Sequence, residues 1–113
     1  MSHFTKVKTQ LTEAETLKQA MERTLKWPVL ENATVRGYNG NTETARLVAR
    51  NPSADYDVGF ARQRDAEAFE LVADFYGLPQ LDPMGLMRDI NQNYALTILE
   101  QEAAAIGYAM GEA

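Results

Sequence analysis

The chain has 113 residues, 45% hydrophobic and 24% charged, with a formal net charge of −5; it is one domain, too short for two cores and too apolar for disorder. It contains no Cys, which excludes a disulfide framework, a thiolate nucleophile, an iron–sulfur cluster and a cysteine zinc site, and points to a reducing compartment. The opening residues lack the apolar run of a signal peptide and no stretch approaches the ~20 apolar residues of a membrane span, so a cytoplasmic protein with no membrane partner is expected.

The charge is unevenly placed. Residues 1–64 hold ten Lys and Arg against seven acidic residues, whereas residues 65–113 hold only Arg88 against nine. Lys6, Lys8, Arg36, Arg46 and Arg50 could therefore form a basic face, or else lie beside acidic neighbours and be balanced by them.

In chain order, residues 3–10 alternate, with Thr5, Val7 and Thr9 on one side and Phe4, Lys6 and Lys8 on the other, as in a strand with one wet face. Thr12-Glu13-Ala14-Glu15 has the form of a capping box. Leu17, Ala20, Met21, Thr24 and Leu25 follow at helical spacing, which predicts a first helix ending before Pro28. The period then changes to two. Ala33 to Tyr38 runs into Asn39-Gly40, a dipeptide that supplies the positive backbone angles of a tight hairpin turn.

The return arm, residues 41–50, reads as a strand, although its composition also suits a short capped helix. Tyr56, Val58 and Phe60 alternate on a third segment, and Phe69, Leu71, Ala73 and Phe75 on a fourth. Their other face carries Asp55, Asp57, Glu70 and Asp74, expected as a polar outer face. Asp82-Pro83 then supplies a cap and a proline at the first helical position. Leu86, Ile90, Asn93 or Tyr94, Thr97, Ile98, Gln101 and Ala105 recur at three and four, predicting a longer helix to about Ile106 that stops at Gly107. The expected order is β-α-β-β-β-β-α: an α+β domain spanning 1–113, with an antiparallel sheet and two helices on one face.

Chemistry-bearing residues are few. His3 is the only histidine, so sites built from several imidazoles are excluded, and no metal site or particular cofactor is implied. With a carboxylate to orient it, His3 could serve as a general base, and Asp57, Glu70 and Asp74 lie on strands that could neighbour it. Like charges directly opposite one another are costly, so Arg36, Arg46 or Arg62 is expected between the carboxylates. Gly37, Asn39, Gly40 and Gly59 are read as turn residues. Phe4, Lys6, Lys8, Arg36 and Tyr38 interleave aromatic and basic groups as a single-strand nucleic acid binder would, but the acidic total disfavours nucleic acid. Tyr94 and Tyr108 read as core aromatics, and Met84, Met87 and Met110 as gap-fillers.

Four segments carry a family likeness: residues 1–10 (MSHFTKVKTQ), 35–40 (VRGYNG), 55–60 (DYDVGF) and 69–74 (FELVAD). The chain resembles the hypothetical chloroplast reading frame 35 family, also called domain of unknown function 1257, of cyanobacteria, algal plastids and cyanophages. The resemblance marks His3, Lys8, Thr9, Arg36, Gly37, Tyr38, Gly40, Asp57, Gly59, Phe60, Glu70, Asp74 and Tyr94, and implies no activity or cofactor. It also implies a final strand pair after the Gly-Tyr of the last helix. Here only Ala109 to Ala113 remain, so a compact phage-type form with an open sheet edge is expected. A non-enzymatic module is the reading that follows, binding a protein partner or a second copy through that edge or the polar sheet face. The alternatives are a small enzyme or metal-binding domain centred on His3 and the sheet carboxylates, and a single-strand nucleic acid binder.

Overall fold

The computed structural model describes the backbone of residues 3–109 and the side chains of residues 3–107. Strand β1 (Thr5–Lys8) is followed by helix α1 (Ala14–Leu25), strands β2 (Val29–Arg36), β3 (Thr42–Ala49), β4 (Val58–Ala61) and β5 (Glu70–Ala73), and helix α2 (Pro83–Ala109). The strands form one antiparallel sheet in the order β1-β5-β4-β3-β2. This is the expected α+β order, and residues 42–49 are strand.

One face of the sheet is covered by the helices. Leu47, Ala49, Val58, Phe60, Leu71 and Ala73 pack there against Leu17, Ala20 and Met21 of α1 and Leu86, Ile90 and Tyr94 of α2. The alternation of Val58 with Phe60 and of Leu71 with Ala73 directs these side chains to the same side. Side-chain bonds tie the helices together: Asn93 Nδ2 donates to Thr24 Oγ1 at 2.8 Å, and Arg23 pairs with Glu100. Tyr108 and Met110, expected as core aromatic and gap-filler, lie outside the described side chains, and Met84 is exposed rather than filling a gap.

The other face is not a wet polar surface. The far half of the β2–β3 hairpin folds across it, and Val35, Ala45 and Val48 form a second cluster there with Phe4, Ala33 and Ala61. The bend sits at Asn32, whose φ of 52° is left-handed and which falls between the paired positions Glu31↔Leu47 and Ala33↔Ala45. Gly59 makes the fold-back possible. A Cβ there would lie 2.3 Å from Val35 Cγ2 and 3.2 Å from Ala45 Cβ, so the hairpin can seat only on a position without a side chain. Gly59 is therefore a packing residue inside β4 and not a turn residue.

Other local expectations are corrected. The cap of α1 is Glu13, not Thr12, and no side chain caps it; the Glu13 N–H instead donates to the Tyr94 hydroxyl at 3.0 Å, so the second helix satisfies a donor that a capping box would have used. The helix ends as expected before Pro28, through Lys26 in the left-handed region. Asn39 and Gly40 do take positive φ, 56° and 77°, but within a five-residue connection between Arg36 and Thr42 that includes a 3-10 turn at Tyr38–Gly40. Phe75 opens a second 3-10 turn, Phe75–Gly77, rather than extending the fourth strand. Asp82 caps α2, its carboxylate accepting from Gly85 N at 2.8 Å. That helix runs through Gly107 to Ala109, and Ala105 is exposed instead of facing the core.

Candidate functional site

Asp57 and Asp74 directly flank Val58↔Ala73, the last pair of the β4–β5 register, so both stand at the same end of the sheet. Alternation turns both away from the helices and toward the folded-back hairpin. Each is buried, Asp57 at 0% and Asp74 at 1% exposure. Two buried carboxylates at adjacent positions are tolerable only if each is neutralised or fully hydrogen-bonded, and the two are treated differently.

Asp57 is held by charge. Its Oδ2 accepts from Arg36 Nε at 2.8 Å, Arg50 Nη1 at 2.6 Å and the Arg36 backbone N–H at 2.9 Å. Its Oδ1 accepts from Arg36 Nη2 and the Asn51 backbone N–H, both at 2.9 Å. Burial pushes the Asp57 carboxyl upward, but the Arg36 hydrogen bond, the Asn51 and Arg36 backbone donors and the Arg50 charge outweigh it and hold the group below its ordinary value. The Arg36 guanidinium is raised in turn, first by its hydrogen bond to Asp57. Arg36 also reaches the exposed Asp55 through Nη1 at 2.9 Å, and the Asp57 N–H donates to the Arg36 carbonyl at 3.1 Å. This node fastens the end of β2 over the sheet.

Asp74 is held by backbone donors. Its Oδ2 accepts from the Tyr38 N–H at 2.8 Å and its Oδ1 from the Tyr76 N–H at 3.1 Å, so one buried carboxylate positions two turns that are far apart in sequence. Above it the rings of His3, Tyr38 and Tyr76 touch. Centroids are 4.6 Å apart for His3 and Tyr38, 5.6 Å for Tyr38 and Tyr76, and 6.0 Å for His3 and Tyr76. Tyr38 is 41% and Tyr76 72% exposed. Below them the Tyr56 ring fills the place of a side chain at Gly77, where a Cβ would come within 2.1 Å. Burial and the nearby Asp74 charge raise the Tyr56 phenol above its ordinary value. Gly37 makes the equivalent close approach to the Phe4 ring, 2.7 Å from its would-be Cβ.

The seven residues singled out in the sequence thus fall into three groups. His3, Tyr38 and Asp74 form the aromatic corner, and Arg36 and Asp57 form the adjacent charge node. Lys8 and Glu70 face each other in the β1–β5 register at the opposite end of the sheet, where they line a groove of about 250 Å³ with Thr9 and Phe69. Of the arginines expected between the carboxylates, only Arg36 is there. Arg46 pairs with Glu31 at 2.8 Å, and Arg62 lies 4.4 Å above the Phe69 ring. Lys6 is bridged to Glu43 at 3.3 Å, so the expected basic face is largely taken up in ion pairs. Among the described residues no three His, Asp or Glu side chains converge as a metal site, and no helix is long and apolar enough to cross a membrane.

Sequence reasoning did not single out Asn51 or Tyr76, and read Arg50 only as part of a basic face and Tyr56 only as a strand residue. Arg50 and Asn51 carried one usable signal: they follow directly on the strand that pairs with β4, whose last pair is Ala49↔Val58, so they come next to Asp57 once the register is known. Tyr76 carried none, because its position depends on the turn that follows β5.

The family model described as "Protein of unknown function (DUF1257)" matches residues 20–113. A protein of Guillardia theta named "Uncharacterized protein ycf35" is 37% identical over 75 residues, which is 66% of this chain and 56% of that protein, so the match spans little more than half of the relative's length. No solved structure matches the chain significantly. With the family model covering the chain from the middle of α1 through β2–β5 and α2, the chain belongs to the DUF1257 family of proteins of unknown function.

Proposed function

We propose that this protein is a small interaction module of the cell interior that binds a protein partner at the aromatic corner formed by His3, Tyr38 and Tyr76, beside the start of edge strand β1. The observation that carries this reading is the placing of two exposed tyrosines by one buried carboxylate, Asp74. Exposed rings have no role in the core, and fixing their backbones removes ordering cost before a partner arrives. Tyrosine is also a side chain on which binding energy concentrates, because it offers a large rigid surface with few torsions. The corner replaces the polar sheet face as the binding surface, since the hairpin covers that face.

Against the acid–base or metal alternative centred on His3, Asp57, Glu70 and Asp74 stands the fact that every oxygen of Asp57 and Asp74 already accepts a hydrogen bond from within the chain. Glu70 lies at the other end of the sheet. For single-strand nucleic acid binding, Lys6 and Arg36 are engaged with Glu43 and Asp57.

The test places a photo-crosslinking residue at position 76 in the native cells, with position 67 as an exposed control. The expected result is one discrete crosslinked species from position 76 that disappears with Tyr38→Ser. Identical patterns from the two positions, or a product indifferent to Tyr38→Ser, overturn the reading.

A further inference from the structure

The second half of α2 presents a feature that neither the fold nor the aromatic corner uses. Its inner face is spent on Leu86, Ile90, Tyr94 and Thr97, all buried. Its outer face carries Leu96, Leu99 and Ile106 at 45%, 62% and 60% exposure, with exposed Ala103 between them. Single exposed leucines are ordinary on protein surfaces. These four recur at spacings of three, four and three, the seam by which one helix packs along another, and they span about 15 Å at the α-helical rise. Contacts with α1 reach Gln101, whose Nε2 meets Thr16 Oγ1 at 3.5 Å. Beyond that point the side chains are exposed as far as Ile106, so the seam is open to a helix lying alongside.

Charge selects the occupant. Glu100 and Glu102 flank the seam on its two sides; Glu100 is paired with Arg23, and Glu102 has no ion pair among the described residues. A second copy fits the shape in antiparallel register, with Leu96 opposite Ile106 and Leu99 opposite Ala103. That register also brings the two copies of Glu102 onto the same flank, where like charges repel. We infer that the Leu96–Ile106 seam of α2 is a docking site for an amphipathic partner helix of about three turns, with an apolar stripe flanked by Lys or Arg. This surface is distinct from the aromatic corner and does not depend on it.

The probes are two labelled helical peptides with the same leucine stripe, one flanked by Lys and one by Glu, titrated against the full chain by fluorescence anisotropy. The Lys-flanked peptide is expected to bind at least tenfold more tightly and to weaken with added salt. Leu99→Asp should abolish binding, Glu102→Lys should reverse the preference between peptides, and Tyr76→Ser should change neither. These positions are exposed, and circular dichroism of each variant verifies that the fold is intact. Equal binding of the two peptides, or none by either, overturns the inference. So does sedimentation showing a dimer that Leu99→Asp disperses, because the occupant would then be a second copy.

Discussion

The two faces of the sheet are covered by different means. The helix side is closed by large apolar side chains, Phe60, Leu71, Leu17, Met21 and Ile90, all essentially inaccessible, so its stability is a matter of apolar area and shape. The hairpin side has a smaller apolar cluster, Val35, Ala45 and Val48 with Phe4, Ala33 and Ala61 packed around them. It is fastened at its margin by Asp57 and Asp74, which bind the hairpin end through backbone and guanidinium donors. A face short of hydrophobic area can thus be closed by a few saturated carboxylates, and it then depends on single residues where the helix side depends on many.

The sharpest way to break this comparison is Asp57→Ala. It leaves the Arg36 and Arg50 guanidiniums without their buried counter-ion and the Arg36 and Asn51 N–H groups without an acceptor. Removing one partner of such a node costs about 3–5 kcal/mol, as measured by urea denaturation. In hydrogen exchange, residues 33–45 should lose protection ahead of α1 and α2. A loss below about 1 kcal/mol, or a uniform loss of protection, would mean that the apolar cluster holds the hairpin unaided.

Gly59→Ala attacks the same face from beneath. The added methyl would lie 2.3 Å from Val35 Cγ2, so hairpin and sheet must separate, at about 1–3 kcal/mol. Val35→Ala in the same chain should return part of that loss, since the two sites share one contact. Strict additivity of the two substitutions in denaturation experiments would show that the contact is not the cause.

These two sites also show where the sequence was legible. Period-two alternation in residues 56–60 and 69–75, the punctuation at Pro28 and Asp82-Pro83, and the three-and-four spacing from Leu86 to Ile98 are local signals, and they led to the element order. The fold-back was not legible, because it rests on one left-handed residue, Asn32, in an otherwise extended segment, and on a glycine whose purpose is set by Val35, distant in the chain. Burial of Asp57 and Asp74 followed from the fold-back and was missed with it. By alternation alone they look like any solvated pair on a strand's outer side. His3, Tyr38 and Asp74 were therefore singled out one by one, without the geometry that joins them, while Tyr76, which completes the corner, depended on a turn with no sequence signature.

A smaller effect comes from pH. The Asp57 carboxyl is held below its ordinary value in the folded chain, so the unfolded chain takes up the proton first as the solution is acidified. The stabilisation is complete above the unfolded value of about 3.9, erodes as the pH falls below it, and is lost once the pH has passed through the folded value. Glu31, lowered by its hydrogen bonds to Arg46 and Lys18, acts in the same direction but is exposed and screened by solvent. Denaturation midpoints measured from pH 6 down to about pH 2 should fall in this window for the native chain, and fall less steeply for Asp57→Ala. Parallel curves would place the acid sensitivity elsewhere.

The smallest effect on stability is expected at the most exposed member of the aromatic corner. Tyr76 is 72% exposed, and its ring meets the rings of His3 and Tyr38. The bond to Asp74 is made by its backbone N–H, which Tyr76→Ser retains, so the turn should persist and the change should lie within about 0.5 kcal/mol. Asp74→Ala, by contrast, removes the acceptor for both the Tyr38 and Tyr76 N–H groups and should cost about 1–3 kcal/mol. The pair of variants separates the roles that meet at this corner: Asp74 holds the hairpin side closed, whereas Tyr76 is dispensable for folding. A loss above 1 kcal/mol for Tyr76→Ser would make its ring part of the fastening and remove the main reason for reading the corner as a surface kept for a partner.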